Sequence, residues 1–148
     1  MKKPYRPKDP AAVHRNMSAI RATENRTERA LRSALHRLGL RYRKYATSLP
    51  GRPDIVFPVQ KVAVFVDGDY WHARVLQERG LRAFRATVKK KETRTYWLAK
   101  LRRNAERDHA VTLTLRKAGW LVVRLWESDA KRDVPKAAAR IARAVRRR

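Results

Sequence analysis

Asp54 and Asp67 bracket two apolar runs, DIVF at 54–57 and KVAVFV at 61–66, and His72 follows shortly after the second acid. If the two runs fold as a tight hairpin about Val59 and Gln60, both carboxylates return to one end of a sheet, within one or two residues of register. An acid at one strand edge, a carboxylate or backbone carbonyl on its neighbour, and water are what Mg²⁺ accepts. That ion keeps several waters and binds through one or two carboxylates plus substrate phosphates. A buried strand is a rigid mount for such groups. Each acid also has a purely local reading: GRPD is an ordinary turn sequence, and Asp67-Gly68 is an ordinary hairpin turn.

A second acid-bearing stretch points at the same chemistry. Stepping by three and four from Trp97 reaches Leu101, Asn104, Asp108, Val111 and Leu115, so Asn104 and Asp108 fall on the stripe of a helix that should face the sheet. A buried carboxylate is costly unless it is paired. His72 is the natural partner, because an aspartate that fixes an imidazole's tautomer makes it a competent general base for activating water. The alternatives are an intrahelical pair of Asp108 with Arg102, Arg107 or Lys117 on a rotated stripe, and a satisfied structural role for His72. Glu28 stands three residues after Asn25, the spacing of a capping box, and so also reads as a helix-start residue. Tyr70 and Trp71 are adjacent and cannot both enter one core face. Aromatics beside a basic cleft can wedge between bases or stack on them. Trp120 and Trp126, on a strand, are expected in the core.

The elements that must position these residues sit in a strongly basic chain. Its 148 residues carry 38 Lys and Arg against 13 Asp and Glu, a formal net charge of +25. That length suits one compact domain, and that charge favours a polyanion, nucleic acid first. No apolar run approaches the length of a spanning helix, and the opening MKKPYRPKDP lacks the apolar segment of a signal peptide, so the expected location is the cytoplasm, in association with the nucleoid. The absence of cysteine excludes disulfides, a thiol nucleophile and thiolate zinc sites.

Residues 1–14 read as a basic arm and 15–148 as a single domain. TENRTERALRSALHRLG has helical spacing, with Gly39 as its stop. A short strand follows around Leu40–Tyr45, then the turn SLPGRPD and the hairpin. Residues 73–92 lose any period and gather basic residues, as a mobile loop or short helix would. A long helix runs from about Thr93 to Ala118, followed by the strand WLVVRLWE and a C-terminal helix from about Val134. The order describes an α/β domain with a mixed central sheet flanked by helices. There is no internal repeat.

GRPDIVF, VAVFVDGDYWH, TRTYWLAKLRRNAERD and GWLVVRLWE, in this order, resemble the very-short-patch-repair (Vsr) endonucleases, which nick DNA at T:G mismatches left by deamination of 5-methylcytosine. HRNMSAIRATENRTERALR resembles their N-terminal segment, and the similarity spans roughly residues 14–128. The resemblance implies a PD-(D/E)xK, restriction-endonuclease-like core. It implies that Asp54 carries Mg²⁺ with the Val66 carbonyl as a second protein ligand, that His72 is the general base oriented by Asp108, and that Glu28 is an accessory acid. Asp67 would add a carboxylate to the metal or form the turn. Tyr70, Trp71 and Trp97 match aromatics that enter the helix beside the mismatch, Asn104 and Arg52 join the DNA-binding set, and the arm would close over the minor groove.

The chain also departs from the family pattern. Family members carry a structural zinc bound by cysteines and a histidine, whereas Asp69, Arg74, Leu76 and Ser128 stand at and beyond the corresponding region here. No structural zinc is expected, and the 69–92 loop must be held by packing, charge pairing or DNA. The expectation is thus a Mg²⁺-dependent endonuclease, a monomer, that nicks duplex DNA at T:G mismatches, with mismatch-repair proteins as candidate partners. The runners-up are a Vsr-like nuclease cutting other DNA in restriction or defence, and a non-catalytic basic nucleic-acid-binding protein.

Overall fold

The computed structural model describes residues 26–70, 72–88 and 90–148. The basic arm, Asn25 and Trp71 lie outside the described residues. Helix α1 covers residues 26–37, with Leu31 and Leu35 fully buried. It stops where expected. Gly39 takes φ +76°, and the Leu40 amide reaches back to the Leu35 carbonyl at 3.1 Å, closing the helix with the left-handed residue that glycine supplies without strain.

The sheet has four strands in the order β1 (Arg43–Lys44), β2 (Ile55–Phe57), β3 (Val62–Asp67) and β4 (Leu121–Trp126). The first three are antiparallel neighbours, and β3 pairs with β4 in parallel, from Val62 against Leu121 to Asp67 against Trp126. Phe57 faces Val62, so the hairpin turn takes in Pro58 to Lys61, with the Lys61 amide on the Pro58 carbonyl at 3.3 Å. Asp67 is the last residue of β3, and Gly68 leads into the crossover. The Asp67-Gly68 pair therefore makes no hairpin turn.

Side-chain alternation divides the sheet into two faces. Ile55, Phe57, Val62, Val64, Val123 and Leu125 pack with Leu31 and Leu35 of α1 and with Ile141 and Val145 of α5 (Val134–Arg146). Ala63, Phe65 and Val122 point the other way, against Val111 and Leu115 of α3 (Lys91–Lys117). The result is a three-layer α/β domain. Among the described residues no helix is long and apolar enough to cross a membrane.

Several expectations shift. Residues 73–92 are mostly helical: α2 covers Arg74–Thr87 and buries Phe84. It breaks at Gly80, whose φ of 76° and ψ of −178° throw the two halves out of phase, and this is why no single period shows in the sequence. A short helix, α4 (Glu127–Arg132), follows β4 directly. The strand at Leu40–Tyr45 shrinks to two residues. Trp120 and Trp126 are half-buried, not fully enclosed. Trp126 lies at the end of its strand and carries the Arg74 guanidinium over its ring at 5.5 Å.

Candidate active site

The alternation that divides the sheet puts Asp54, Phe65, Asp67 and Arg124 on the α3 face, at the end where β3 stops. Asp54 enters β2 with its amide on the Val64 carbonyl at 2.9 Å, and its Oδ2 accepts the Val66 amide at 2.7 Å. The carboxylate is thereby fixed to the backbone of the neighbouring strand. The loop that delivers it is pressed against α3: a Cβ on Gly51 would lie 2.5 Å from Val111 Cγ1, and Gly51 has φ +73°. Only glycine meets both demands. Arg52 follows in the left-handed region, φ 53°, and is exposed on the rim.

Glu28 projects from α1 into the same cleft, only 8% exposed. Its Oε2 accepts the Tyr45 hydroxyl at 2.8 Å and Arg32 at 3.3 Å. The Arg32 contact draws the Tyr45 hydroxyl's pKa down, but burial and the Glu28 hydrogen bond and charge prevail, so the net direction is up. The capping partner proposed for Glu28, Asn25, lies outside the described residues.

The other half of the cleft is built on charge. His72 Nδ1 lies 2.5 Å from Asp108 Oδ2 and 3.6 Å from Asp67 Oδ1. Asp67, 6% exposed, is gripped by Arg124 through both oxygens, at 2.7 and 3.0 Å. Arg124 also donates to Thr112 Oγ1 at 3.1 Å and to the Asp108 carbonyl at 3.3 Å, with its guanidinium 4.4 Å over the Phe65 ring. Burial pulls the His72 pKa down, yet the Asp108 hydrogen bond and the charges of Asp67 and Asp108 outweigh it against Arg124, and the net direction is up. For Asp108, burial acts upward, but His72, Arg124 and Arg107 together hold it below the usual carboxylate value.

Glu28, Arg52, Asp54, Val66, Asp67, His72 and Asp108 all line one open cleft of about 520 Å³. The helix stripe is as read from the sequence: Leu101 and Leu115 are buried, while Asn104, Asp108 and Val111 are half-buried. Asp108 turns to His72 and not to an arginine of its own helix. Asn104 does not line the cleft. Asp67 ends β3 in place of forming a hairpin turn, meets Arg124 with both oxygens, and lines the same cleft as Asp54.

Tyr70, 47% exposed, meets Trp97 edge-on with ring centroids 5.3 Å apart, and Lys100 Nζ sits 5.1 Å from the Trp97 centroid. The loop beneath is held by charge and packing. Arg74 binds Asp69 at 3.0 Å, the Ser128 hydroxyl at 2.7 Å and Asp129 at 2.9 Å, and Asp69 in turn accepts the Ser128 amide at 3.0 Å. Leu76 packs beside Ala73, Phe84 and Leu101. Burial opposes ionisation of Asp69, but Ser128 and Arg74 win and its pKa falls.

Arg124, Tyr45 and Arg32 were not singled out from the sequence. For Arg124 the signal was there: an arginine in the middle of the apolar run LVVRLW must find a partner on whichever face it enters.

The residues that share the cleft with Asp54 offer hard oxygens: its own carboxylate, the carbonyl of Val66 and the carboxylate of Glu28. Among the described residues no group of three or more His, Cys, Asp or Glu converges as a closed metal cage. An open oxygen site completed by water and substrate phosphate is what Mg²⁺ takes, so the residues present fit that ion. A carboxylate fixed on a strand edge, a carboxylate-held imidazole and a basic rim in one cleft define a hydrolase of phosphodiesters.

Comparison with known proteins gives the family. Residues 7–78 match the family model described as DNA mismatch endonuclease Vsr. The chain is 39% identical over 88% of its length, and 83% of the relative's, to the Type II nicking enzyme V.NmeDIP of Neisseria meningitidis serogroup C. It is 43% identical to the Type II nicking enzyme V.NaeI of Lentzea aerocolonigenes, over 83% of this chain and 72% of that one. To the DNA mismatch endonuclease Vsr of Escherichia coli strain K12 it is 34% identical, over 80% and 71%. The chain belongs to the Vsr family of DNA endonucleases, with their restriction-endonuclease-like α/β fold.

Proposed function

We propose that this chain is a Mg²⁺-dependent nickase that hydrolyses one phosphodiester of a duplex at a T:G mismatch, acting as a monomer. The observation that carries the reading is the meeting in one cleft of Asp54 with the His72 and Asp108 pair. Asp54 would hold the ion, with the Val66 carbonyl and Glu28 as the further oxygen donors that line the same cleft. The ion, when bound, supplies charge stabilisation to the phosphate and the leaving oxygen. His72 uses Nδ1 for Asp108, which leaves Nε2 to take the proton of the attacking water, and Asp108 steadies the imidazolium that results. Asp67 and Arg124 keep this pair in place. The exposed Tyr70, braced by Trp97, supports a wedge beside the mispaired base.

A second reading rests on the relatives named Type II nicking enzymes: the same chemistry directed at a sequence guarded by a restriction system. A nicking assay with strand-specific labels decides. The proposal expects one nick beside the mismatched T, lost with chelator and in Asp54→Ala. Matched duplex cut as fast as mismatched duplex would move the function to the second reading, and binding without any cutting would remove the enzymatic one.

A further inference from the structure

Helix α5, with the Leu31–Leu35 part of α1, covers the sheet face opposite α3, while Glu28 in the first turn of α1 reaches the cleft. Helix α5 buries Ala137, Ala138, Ile141, Ala142 and Val145 and turns its cations to solvent: Lys136, Arg140, Arg143, Arg146, Arg147 and Arg148 are all exposed or lie at the surface. Residues 134–148 contain no acid. Lys136, Arg140, Arg143 and Arg147 fall in one row at steps of three and four, where like charges work against the helix that holds them. The nearest acids are already engaged. Asp129 is held by Arg74 at 2.9 Å and Arg132 at 2.8 Å, and Asp133 caps the helix by accepting the Lys136 amide at 3.0 Å.

The row also borders a concave surface. A groove of about 240 Å³ between α4 and α5 is lined by Arg132, Lys136, Arg140 and Arg143 together with the engaged acids Asp129 and Asp133. At the far end Arg148 donates to the Gly119 carbonyl, so the last turn of α5 is pinned near the start of β4. The basic row therefore runs the length of the sheet, and α1 adds the exposed Arg29 and Arg37.

We propose that this face is a second duplex-DNA surface, which binds phosphates without regard to sequence while the cleft engages the duplex to be nicked. Packed layers are roughly 10 Å apart, so a sheet and a helix layer separate the row from the cleft. Duplex DNA is stiff over about 150 base pairs and does not fold around such a body without a large bending cost. The row and the cleft are thus filled by two separate segments of DNA. A protein so built can hold one segment while it searches or cuts another. DNA is the favoured polyanion because the family acts on it.

The test uses the full chain and two short duplexes, one fixed to beads and one dye-labelled, both fully matched so that binding is read independently of the nicking reading. At low salt, wild type should carry the dye-labelled duplex to the beads, while K136Q/R140Q/R143Q/R147Q should not. The variant should nick its best substrate with kcat within twofold of wild type. Wild-type capture of the second duplex should weaken with salt with a slope of at least about 3 to 4, roughly 0.9 for each phosphate that the four cations neutralise. Saturation of wild type by a single duplex, equal bridging by the variant, or bridging only in a dimeric fraction resolved by ultracentrifugation would each overturn the proposal. So would a face that takes an RNA hairpin or anionic vesicles but not duplex DNA.

Discussion

The two halves of the cleft are held by different physics. On the Asp54 side the carboxylate is fixed by a backbone amide of the adjacent strand, and its loop is wedged by a glycine against α3. On the His72 side nearly every interaction is ionic: Asp67, Asp108, Arg124 and the imidazole form one network across β3, α3 and β4. The first half gains precision from backbone regularity and one charge-assisted hydrogen bond. The second gains it from charges that compensate one another, so losing one member strands the rest.

Mutations should separate the halves, beginning with the largest effect. Asp54→Ala is expected to lower nicking on the order of 10³-fold or more with duplex affinity nearly unchanged, because it removes the proposed ion anchor; the loss of the acceptor for the Val66 amide should lower stability by only about 1 kcal/mol. A large fall in Tm in that variant would show that both halves are structural. His72→Ala should cost roughly 10² to 10⁴ in kcat, the usual range for a general base, with little change in KM; single-turnover nicking measures it. Arg124→Met leaves Asp67 buried without its partner and should destabilise by about 3 to 5 kcal/mol. Thermal unfolding checks this, and the double variant Arg124→Met with Asp67→Leu should recover part of the loss. Gly51→Ala, in the other half, should cost about 1 to 3 kcal/mol through its backbone angle and the collision with Val111.

The smallest effect is on pH dependence. The folded-state pKa of His72 is raised, so the pair stabilises the protein fully below the unfolded value of about 6.5 and loses that contribution as pH rises through the folded value. Asp108→Asn should therefore lower Tm more at pH 5 than at pH 9. If neutral His72 is the base, the same change moves the acidic limb of the nicking profile to lower pH. A profile unmoved by Asp108→Asn would exclude the imidazole from that limb.

The contrast between the halves also explains what could be read from the sequence. The return of Asp54 and Asp67 to one end followed from a local hairpin, and the inward phase of Asp108 followed from helical period alone; both depend on neighbours in the chain. The grip of Arg124 on Asp67 depends on the parallel register of β3 against β4, and parallel pairing leaves no turn by which to read it. The Asp69, Arg74 and Ser128 cluster likewise joins segments far apart in sequence. Gly80 hid a helix by breaking its phase. Trp126 looked like core by composition, yet it ends its strand where a cation can lie over it.

The parallel pairing of β3 with β4 has a kinetic consequence. The hairpin that carries Asp54 closes a short loop, an event of microseconds, whereas β4 can join only after the whole 68–120 crossover is in place, a far less local pairing that slows folding. A chain emerging from the ribosome therefore forms the hairpin that holds Asp54 well before Arg124 of β4 can close on Asp67. If Asp54 and His72 carry the roles proposed, the nascent protein would hold only half of its centre until the last strand arrives.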